Sequence, residues 1–595
     1  MREYTVPAVT EPPTGSLSDP VWANASSHPD TAVFSRRTGT GWLDVSAAEF
    51  AREVTAVAKG LIAAGVKHGE RVALLSATRY EWTLIDYAIW SIGAVTVPIY
   101  ETSSASQIQW ILTDSEAVVA IAENAALGAV IESARSEAPS LQEIWQIEAG
   151  AVEQLTVLGQ EVSDAQFDKR RGAVVPSDMA TLIYTSGTTG RPKGCRLNHS
   201  SFLDELTPAV KILDELFDTS GASTLLFLPL AHVFARIIQV GCVMQRVKIG
   251  HTADVKNLVA DLGEFKPTFI LSVPRVFEKV FNSASQKAHA DGKGKIFDAA
   301  ADTAIAYSRA QDKGGASFGL KAKHALFDRL VYGKLRNVLG GQVKYAVSGG
   351  APLGDRLGHF FRGIGVPVLE GYGLTETTAA VAVNLPDDIR IGTVGRPLPG
   401  VSVGVAEDGE LLFKGGQVMQ GYWKNDEATA AAIDADGWFH TGDLGEFDVD
   451  GFIKITGRKK EILVTAGGKN VQPAALEDQI RLHPLVSQCM VVGDGKPFIA
   501  ALITLDAENV VPWATERGKP TEIAELTEDP DLIAEIQKAV NEANDSVSHA
   551  ESIKKFSILA TDWTQESGEL SLKLSLRRHI VMKNHESDVE ALYAK

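Results

Sequence analysis

The sequence predicts an α/β fold resting on parallel sheet, followed by a stretch rich in short antiparallel strands. Three observations carry this expectation. Apolar runs alternate with helical patterns through the first 370 residues, several of those runs end directly in glycine-containing turns, and beyond residue 400 the pattern changes to short turn-punctuated strands. At roughly 150 residues per domain, 595 residues allow about four domains or sub-domains.

The first 40 residues carry Pro7, Pro12, Pro13, Pro20 and Pro29 and read as an extended lead-in that wraps the rest, with the core starting after it. Ser46 and Glu49 form a capping box. Phe50, Val54, Val57 and Leu61 follow at helical spacing, and Gly65 sits where a helix C-cap belongs. Residues 71–75, a helical stretch through Trp82, Ile85 and Ile89, and residues 95–99 make strand, helix, strand, the order of a parallel sheet. Further apolar runs occupy 179–184, 268–273, 343–348 and 366–369, and three of them enter glycine turns, where open α/β sheets bind ligands. Residues 285–340 read as a mostly helical excursion. Residues 409–413 and 451–455 read as hairpin strands.

Composition narrows the partners. Fifty-seven basic against 75 acidic residues give a net charge of −18, which opposes nucleic acid at long range while leaving room for small anions at a local cluster of donors. Three separated cysteines make no metal-ligand or disulfide spacing. With no apolar run long enough to span a membrane and no targeting motif, the expected location is the cytoplasm. Peripheral contact with a membrane and the oligomeric state stay open.

The densest signal is YTSGTTGRPKG at residues 184–194, directly after an apolar strand. Glycines Gly187, Gly190 and Gly194 let backbone N–H groups converge. Thr185, Ser186, Thr188 and Thr189 add hydroxyls, and Lys193 adds a point charge, together a cradle for polyphosphate. It is not a P-loop, since Gly194 rather than Ser or Thr follows the lysine.

This segment resembles the signature loop of the adenylate-forming superfamily, which includes acyl-CoA synthetases, luciferases and peptide-synthetase adenylation domains. The remaining motifs follow in the family's order from about 40 to about 580. The resemblance implies a large N-terminal domain of stacked αβ sub-domains plus a β-rich sub-domain, residues 1–457, and a smaller mobile α+β C-terminal domain, residues 458–595.

Residue by residue, it implies the following. His232, in Leu228-Pro229-Leu230-Ala231-His232-Val233-Phe234, approaches the substrate carboxylate. Arg236 stands where some relatives carry a tryptophan gate over the acyl channel. Gly349, Gly350 and Ala351 line the adenine pocket. In Glu370-Gly371-Tyr372-Gly373-Leu374-Thr375-Glu376-Thr377, Tyr372 stacks on adenine beside Gly373, Thr375 and Thr377 meet phosphate oxygens, and Glu376 holds Mg²⁺, a hard cation suited to carboxylate and phosphate oxygens. Asp443 and Arg458 take the ribose, Lys460 is the hinge pivot, and Gly468 lies beside the pantetheine arm of coenzyme A, with the neighbouring Asn470 open. Lys573, four residues before Arg577, matches the catalytic lysine, although the long-chain form of the motif would align Ser575 instead.

The substrates so implied are ATP, an acid and CoA. The 285–340 excursion together with Ser272-Val273-Pro274-Arg275-Val276-Phe277 and Phe327-Asp328-Arg329-Leu330-Val331-Tyr332 resembles bacterial long-chain fatty acyl-CoA synthetases most, so a long-chain fatty acid is the expected acid. Transfer to a carrier-protein thiol is the alternative.

Overall fold

The computed structural model describes residues 1–8, 11, 13–39, 41–185, 191–218, 220–254, 256–571 and 576–594. The α/β expectation holds, and the chain forms a large N-terminal domain and a smaller C-terminal one. A six-stranded sheet runs in the order Glu143–Gln146, Val119–Ala122, Arg71–Leu75, Val95–Ile99, Met179–Thr185 and Lys193–Asn198, parallel except for the last strand. A nine-stranded sheet is parallel through Ala32–Thr38, Lys248–His251, Ser223–Leu226, Phe269–Ser272, Tyr345–Ser348 and Val368–Tyr372, and antiparallel at both edges.

One continuous apolar core joins these sheets through helices Ala47–Ala63, Tyr80–Ser91, His199–Ile212 and Val233–Gln245. The predicted capping box closes the first of them, with Ser46 Oγ accepting from the Glu49 N–H, and Gly65 follows with φ +87°. The 285–340 excursion is helical, built from Pro274–Ala290, Gly294–Gln311, Phe318–Phe327 and Gly333–Val338.

After residue 400, strands Ser402–Val405, Glu410–Lys414, Phe439–Phe447 and Ile453–Arg458 pair antiparallel as expected. Their fifth partner is Arg2–Thr5, so the N-terminus does wrap another unit. The rest of the lead-in differs from the expectation. Asp19–Ser27 is a helix and Ala32–Thr38 enters the nine-stranded sheet, with Leu17, Val21, Val33 and Phe34 fully buried. Pro20 lies in the helix's first turn, where its missing N–H costs nothing.

In the C-terminal domain, Val486–Val492, Ile499–Leu505 and Ile553–Ile558 form a sheet covered by Pro473–Arg481 and Pro530–Asn544 around a separate core. Among the described residues no helix is long and apolar enough to cross a membrane.

Candidate active site

The parallel strands of the nine-stranded sheet deliver two motifs at their carboxyl ends, where such sheets present ligand-binding loops. Tyr345–Ser348 runs into Gly349 and Gly350, and Val368–Tyr372 into residues 373–377. The two segments are fastened together by Glu370, whose Oε2 accepts the Leu353 N–H at 3.0 Å; burial pushes this carboxyl up to about 7. Gly349 is closely approached: a Cβ there would stand 3.1 Å from the Phe234 ring, which would have to give by a few tenths of an ångström, and 3.4 Å from the Gly371 carbonyl.

Tyr372, Asp443 and Arg458 meet directly. Asp443 and Arg458 are opposed across Phe439–Phe447 and Ile453–Arg458, and Arg458 Nε lies 2.9 Å from Asp443 Oδ1. The Tyr372 hydroxyl donates to Oδ2 at 2.6 Å. Burial, with the Asp443 charge beside it, raises the Tyr372 phenol well above its usual range, so it stays a donor. Burial alone would lower Arg458, but the Asp443 and Glu461 carboxylates outweigh it and the guanidinium is held above its ordinary value. The turn is set from behind: Thr441 Oγ1 accepts the Asp443 N–H and donates to the Leu411 carbonyl, while Glu410 accepts the Gly442 N–H and pairs with Lys459. A ribose diol is well matched to a carboxylate so presented, one oxygen to each hydroxyl.

Glu376 sits in a short 3₁₀ turn, Thr375–Thr377. Its Oε1 accepts from the Tyr422 hydroxyl at 2.9 Å, and Lys193 Nζ lies 5.0 Å from the Tyr422 ring centroid, so Glu376 and the end of the phosphate-loop strand share one neighbour. Burial and the Glu376 charge raise the Tyr422 phenol far above its usual range. Among the described residues no three His, Cys, Asp or Glu side chains cluster as a metal cage. A cation at Glu376 would therefore complete its shell with phosphate oxygens and water, which is how Mg²⁺ is ordinarily held, and the single carboxylate fits it.

The turn behind Glu376 is strained and supported. Thr378 has φ +62° and Ala379 φ +129°, uncommon for residues with a Cβ. The Ala379 carbonyl packs so closely on Gly373 that a Cβ there would fall 1.4 Å from it. Thr378 donates to the Gln417 carbonyl at 2.6 Å and the Ala380 N–H to Glu205 Oε1 at 3.0 Å. Burial raises the Glu205 carboxyl well above its usual range. Thr375 is buried, and the Thr377 hydroxyl closes its own turn, accepting the Leu374 N–H at 2.9 Å.

Strands Met179–Thr185 and Lys193–Asn198 pair with Thr185 opposite Lys193, which frames the phosphate loop. Ser186, Gly187, Thr188, Thr189 and Gly190 lie outside the described residues, as does Lys573 with Ser575. His232 is the N-cap of Val233–Gln245, its Nδ1 accepting the Phe234 N–H at 3.0 Å. Lys460 is exposed in the turn Lys459–Glu461, and Gly468 (φ +78°) is exposed between the paired strands Leu463–Val464 and Asn470–Val471. Ala351 is exposed at the adenine-side turn.

Arg236 does not border this site as a gate would. It is fully buried, its guanidinium forked onto Asp86 with Nε donating to Oδ2 at 2.8 Å, while Nη1 donates to Thr181 Oγ1 at 2.6 Å. The ring that reaches the glycine turn is Phe234.

Residues 21–423 match the family described as AMP-binding enzyme, and 460–595 match its C-terminal domain. The chain belongs to the AMP-binding enzyme family. It is 52% identical over the whole length of both chains to a protein of Mycobacterium bovis named long-chain-fatty-acid–CoA ligase FadD15. Among solved structures it is similar to a Mycobacterium tuberculosis fatty acyl CoA synthetase (TM-score 0.62, 21% identity, 96% of this chain and 99% of the other). It is also similar to the O-succinylbenzoate coenzyme A synthetase of Bacillus subtilis in complex with ATP and magnesium ion (TM-score 0.68, 19% identity, 95% and 99%). At these identities the structures establish the shared fold.

Tyr422 and Glu205 were not found by motif reading. Tyr422 lies in none of the motifs named above; its backbone bridges Cys195 in strand Lys193–Asn198, and its hydroxyl reaches Glu376. Glu205 leaves one trace in the sequence, an acid on a helix face otherwise made of Phe202, Leu206 and Ala209.

Proposed function

We propose that this protein is a long-chain fatty acid–CoA ligase that activates its acid as an acyl-adenylate and passes the acyl group to CoA, releasing AMP and pyrophosphate. The observation that carries the reading is the joined Tyr372–Asp443–Arg458 group beside the Glu376 turn, an arrangement suited to a nucleoside with its phosphates directed to residues 185–193. The named full-length relative supports the acid class and CoA as acceptor.

In the first step the carboxylate attacks the α-phosphorus of ATP and pyrophosphate leaves. Two anions must meet, so the barrier is largely electrostatic. Asp443 orients the ribose and Tyr372 the adenine. Thr185, Ser186, Gly187, Thr188, Thr189, Gly190 and Lys193 receive the phosphates, His232 faces the carboxylate, and Lys573 neutralises charge at the α-phosphate. Mg²⁺, held by Glu376, supplies charge to the phosphate oxygens when bound. In the second step the CoA thiol attacks the acyl carbonyl, its proton is lost to solvent, and AMP leaves; a thiol of pKa near 8.5 needs no dedicated base. Residues 458–595 act as the mobile domain, turning about Lys460 between the steps to bring the Gly468 face and CoA to the adenylate. Cys195, Cys242 and Cys489 are all buried and form no disulfide, which supports a reducing compartment, the cytoplasm.

The test is pyrophosphate exchange into ATP with acids of graded length. Exchange should depend on the acid, and turnover should consume CoA mole for mole with AMP formed. Each buried methylene is worth about 0.8 kcal/mol, so kcat/KM should climb about fourfold per carbon for as long as each added carbon is buried. ADP as product would end the reading, and AMP formed without CoA consumption would move the acceptor to a carrier-protein thiol.

Tyr422→Phe removes the hydroxyl that fixes Glu376. Loss of such a supporting hydrogen bond ordinarily costs 10- to 100-fold in metal affinity. The Mg²⁺ concentration giving half-maximal exchange should rise about tenfold, and an unchanged midpoint would detach Tyr422 from metal binding.

A further inference from the structure

We propose that the outer face of helix Phe318–Phe327 and the turn after it is a docking surface for an anionic lipid bilayer. The face is apolar where water would favour polar groups. Phe318 is 88% exposed, Leu326 56% and Leu330 49%, and Ala322 is exposed between them. At 100° per residue, Phe318, Ala322 and Leu326 fall within one arc of about 80°, flanked on either side by the exposed Lys321 and Lys323. The five-residue π-turn Asp328–Tyr332 then carries Arg329 and Leu330 outward.

Charge selects the partner. Between residues 313 and 334 five Lys or Arg accompany one acid, Asp328, a local charge of +4 within a chain of net −18. Asp328 is itself paired, 2.7 Å from Arg336 Nη1. An apolar stripe bordered by exposed lysines, whose long flexible stems allow their ammonium groups to reach a headgroup layer, is complementary to a layer with an anionic surface and a hydrocarbon interior. A purely apolar protein partner would leave those charges unmatched.

The inner face is already committed, so the outer face is free to be changed. Phe327, Tyr332 and Leu335 are buried in the core beneath, the Tyr332 hydroxyl donates to the Ala300 carbonyl at 2.7 Å, and His324 Nε2 donates to the Gly363 carbonyl at 2.6 Å. Since no described helix can span a bilayer, the contact is peripheral. This surface would bind a bilayer whichever acid the site activates.

The test is co-sedimentation of the full chain with vesicles of phosphatidylglycerol and phosphatidylcholine in equal parts, and with vesicles of phosphatidylcholine alone. Near an anionic surface each basic residue raises partitioning about fivefold. Binding to the mixed vesicles should exceed binding to phosphatidylcholine at least 100-fold and fall steeply with added salt. Lys321→Glu with Lys323→Glu and Arg329→Glu should abolish it, and Phe318→Ser with Leu326→Ser should weaken it at least tenfold. Both variants should retain pyrophosphate exchange with a short soluble acid, which certifies the fold. No binding to mixed vesicles, equal binding to both kinds, or binding undiminished in either variant would overturn the proposal. So would loss of a dimer, rather than of vesicle binding, in Phe318→Ser/Leu326→Ser, since the face would then belong to a second copy of the chain.

Discussion

Arg236→Met should destabilise the N-terminal domain by about 3–5 kcal/mol, whereas Asp86→Leu combined with Arg236→Met should recover most of that loss. Both side chains of the pair are 0% exposed. Burial raises the Asp86 carboxyl above its usual range, with the Arg236 guanidinium working against that rise. Arg236 lies on Val233–Gln245 and Asp86 on Tyr80–Ser91. Thr96 Oγ1 donates to Asp86 at 2.6 Å, and Thr181 Oγ1 both accepts from Arg236 and donates to the Thr96 carbonyl. The guanidinium also sits 4.7 Å from the Trp90 ring centroid and 5.4 Å from that of Trp82. Removing the arginine alone strands a carboxylate in this interior. Removing both charges leaves an apolar contact between two helices, and pairs of that kind are commonly neutral or better when replaced by apolar groups of similar volume. The urea midpoint read from tryptophan fluorescence distinguishes the variants. Equal losses in the single and double variants would mean that shape, not charge, holds these helices.

The same pair shows what kind of information the sequence carries. Capping at Ser46 and Glu49, the parallel strand order, and the glycine turns after 348 and 370 are local or nearly local consequences of residue type, and they are legible as such. That Tyr372, Asp443 and Arg458 serve one nucleotide is legible only through the family resemblance: Asp443 and Arg458 meet on paired neighbouring strands, but Tyr372 lies in the other sheet and reaches Asp443 through a side-chain hydrogen bond that no local pattern announces. Arg236 illustrates the limit. Its neighbours Ala235, Ile237 and Ile238 are buried on the other sides of the same helix, so a charge there signals a partner without naming it, and Asp86 stands 150 residues away. Glu205 and Tyr422 are hidden for the same reason. Pro20 shows the opposite error: proline read as a breaker also opens helices, and the helix it opens is held in the core by Val21.

Lys573→Ala should lower acid-dependent pyrophosphate exchange by at least about 10²-fold, while transfer to CoA from a supplied acyl-adenylate falls little. The lysine itself lies outside the described residues, but the stem that bears it is fixed. Leu570 and Leu576 pair antiparallel, the Arg577 N–H donates to the Glu569 carbonyl at 2.8 Å, and Glu569 Oε1 accepts from Asn584 Nδ2 at 3.0 Å. Truncation at 573 therefore removes a charge and leaves these supports in place. A cation matters where charge accumulates, at the α-phosphorus as the carboxylate adds and pyrophosphate departs. The second reaction has no such centre, because the thiol attacks a neutral carbonyl and AMP is already a competent leaving group. The two half-reactions should separate in this one variant only if the C-terminal domain presents different residues to each. Lys469 and Asn470 follow Gly468 on the face that would meet CoA in the second step. Equal losses in both half-reactions would require Lys573 to stay at the site throughout, and the rotation about Lys460 would have to be abandoned.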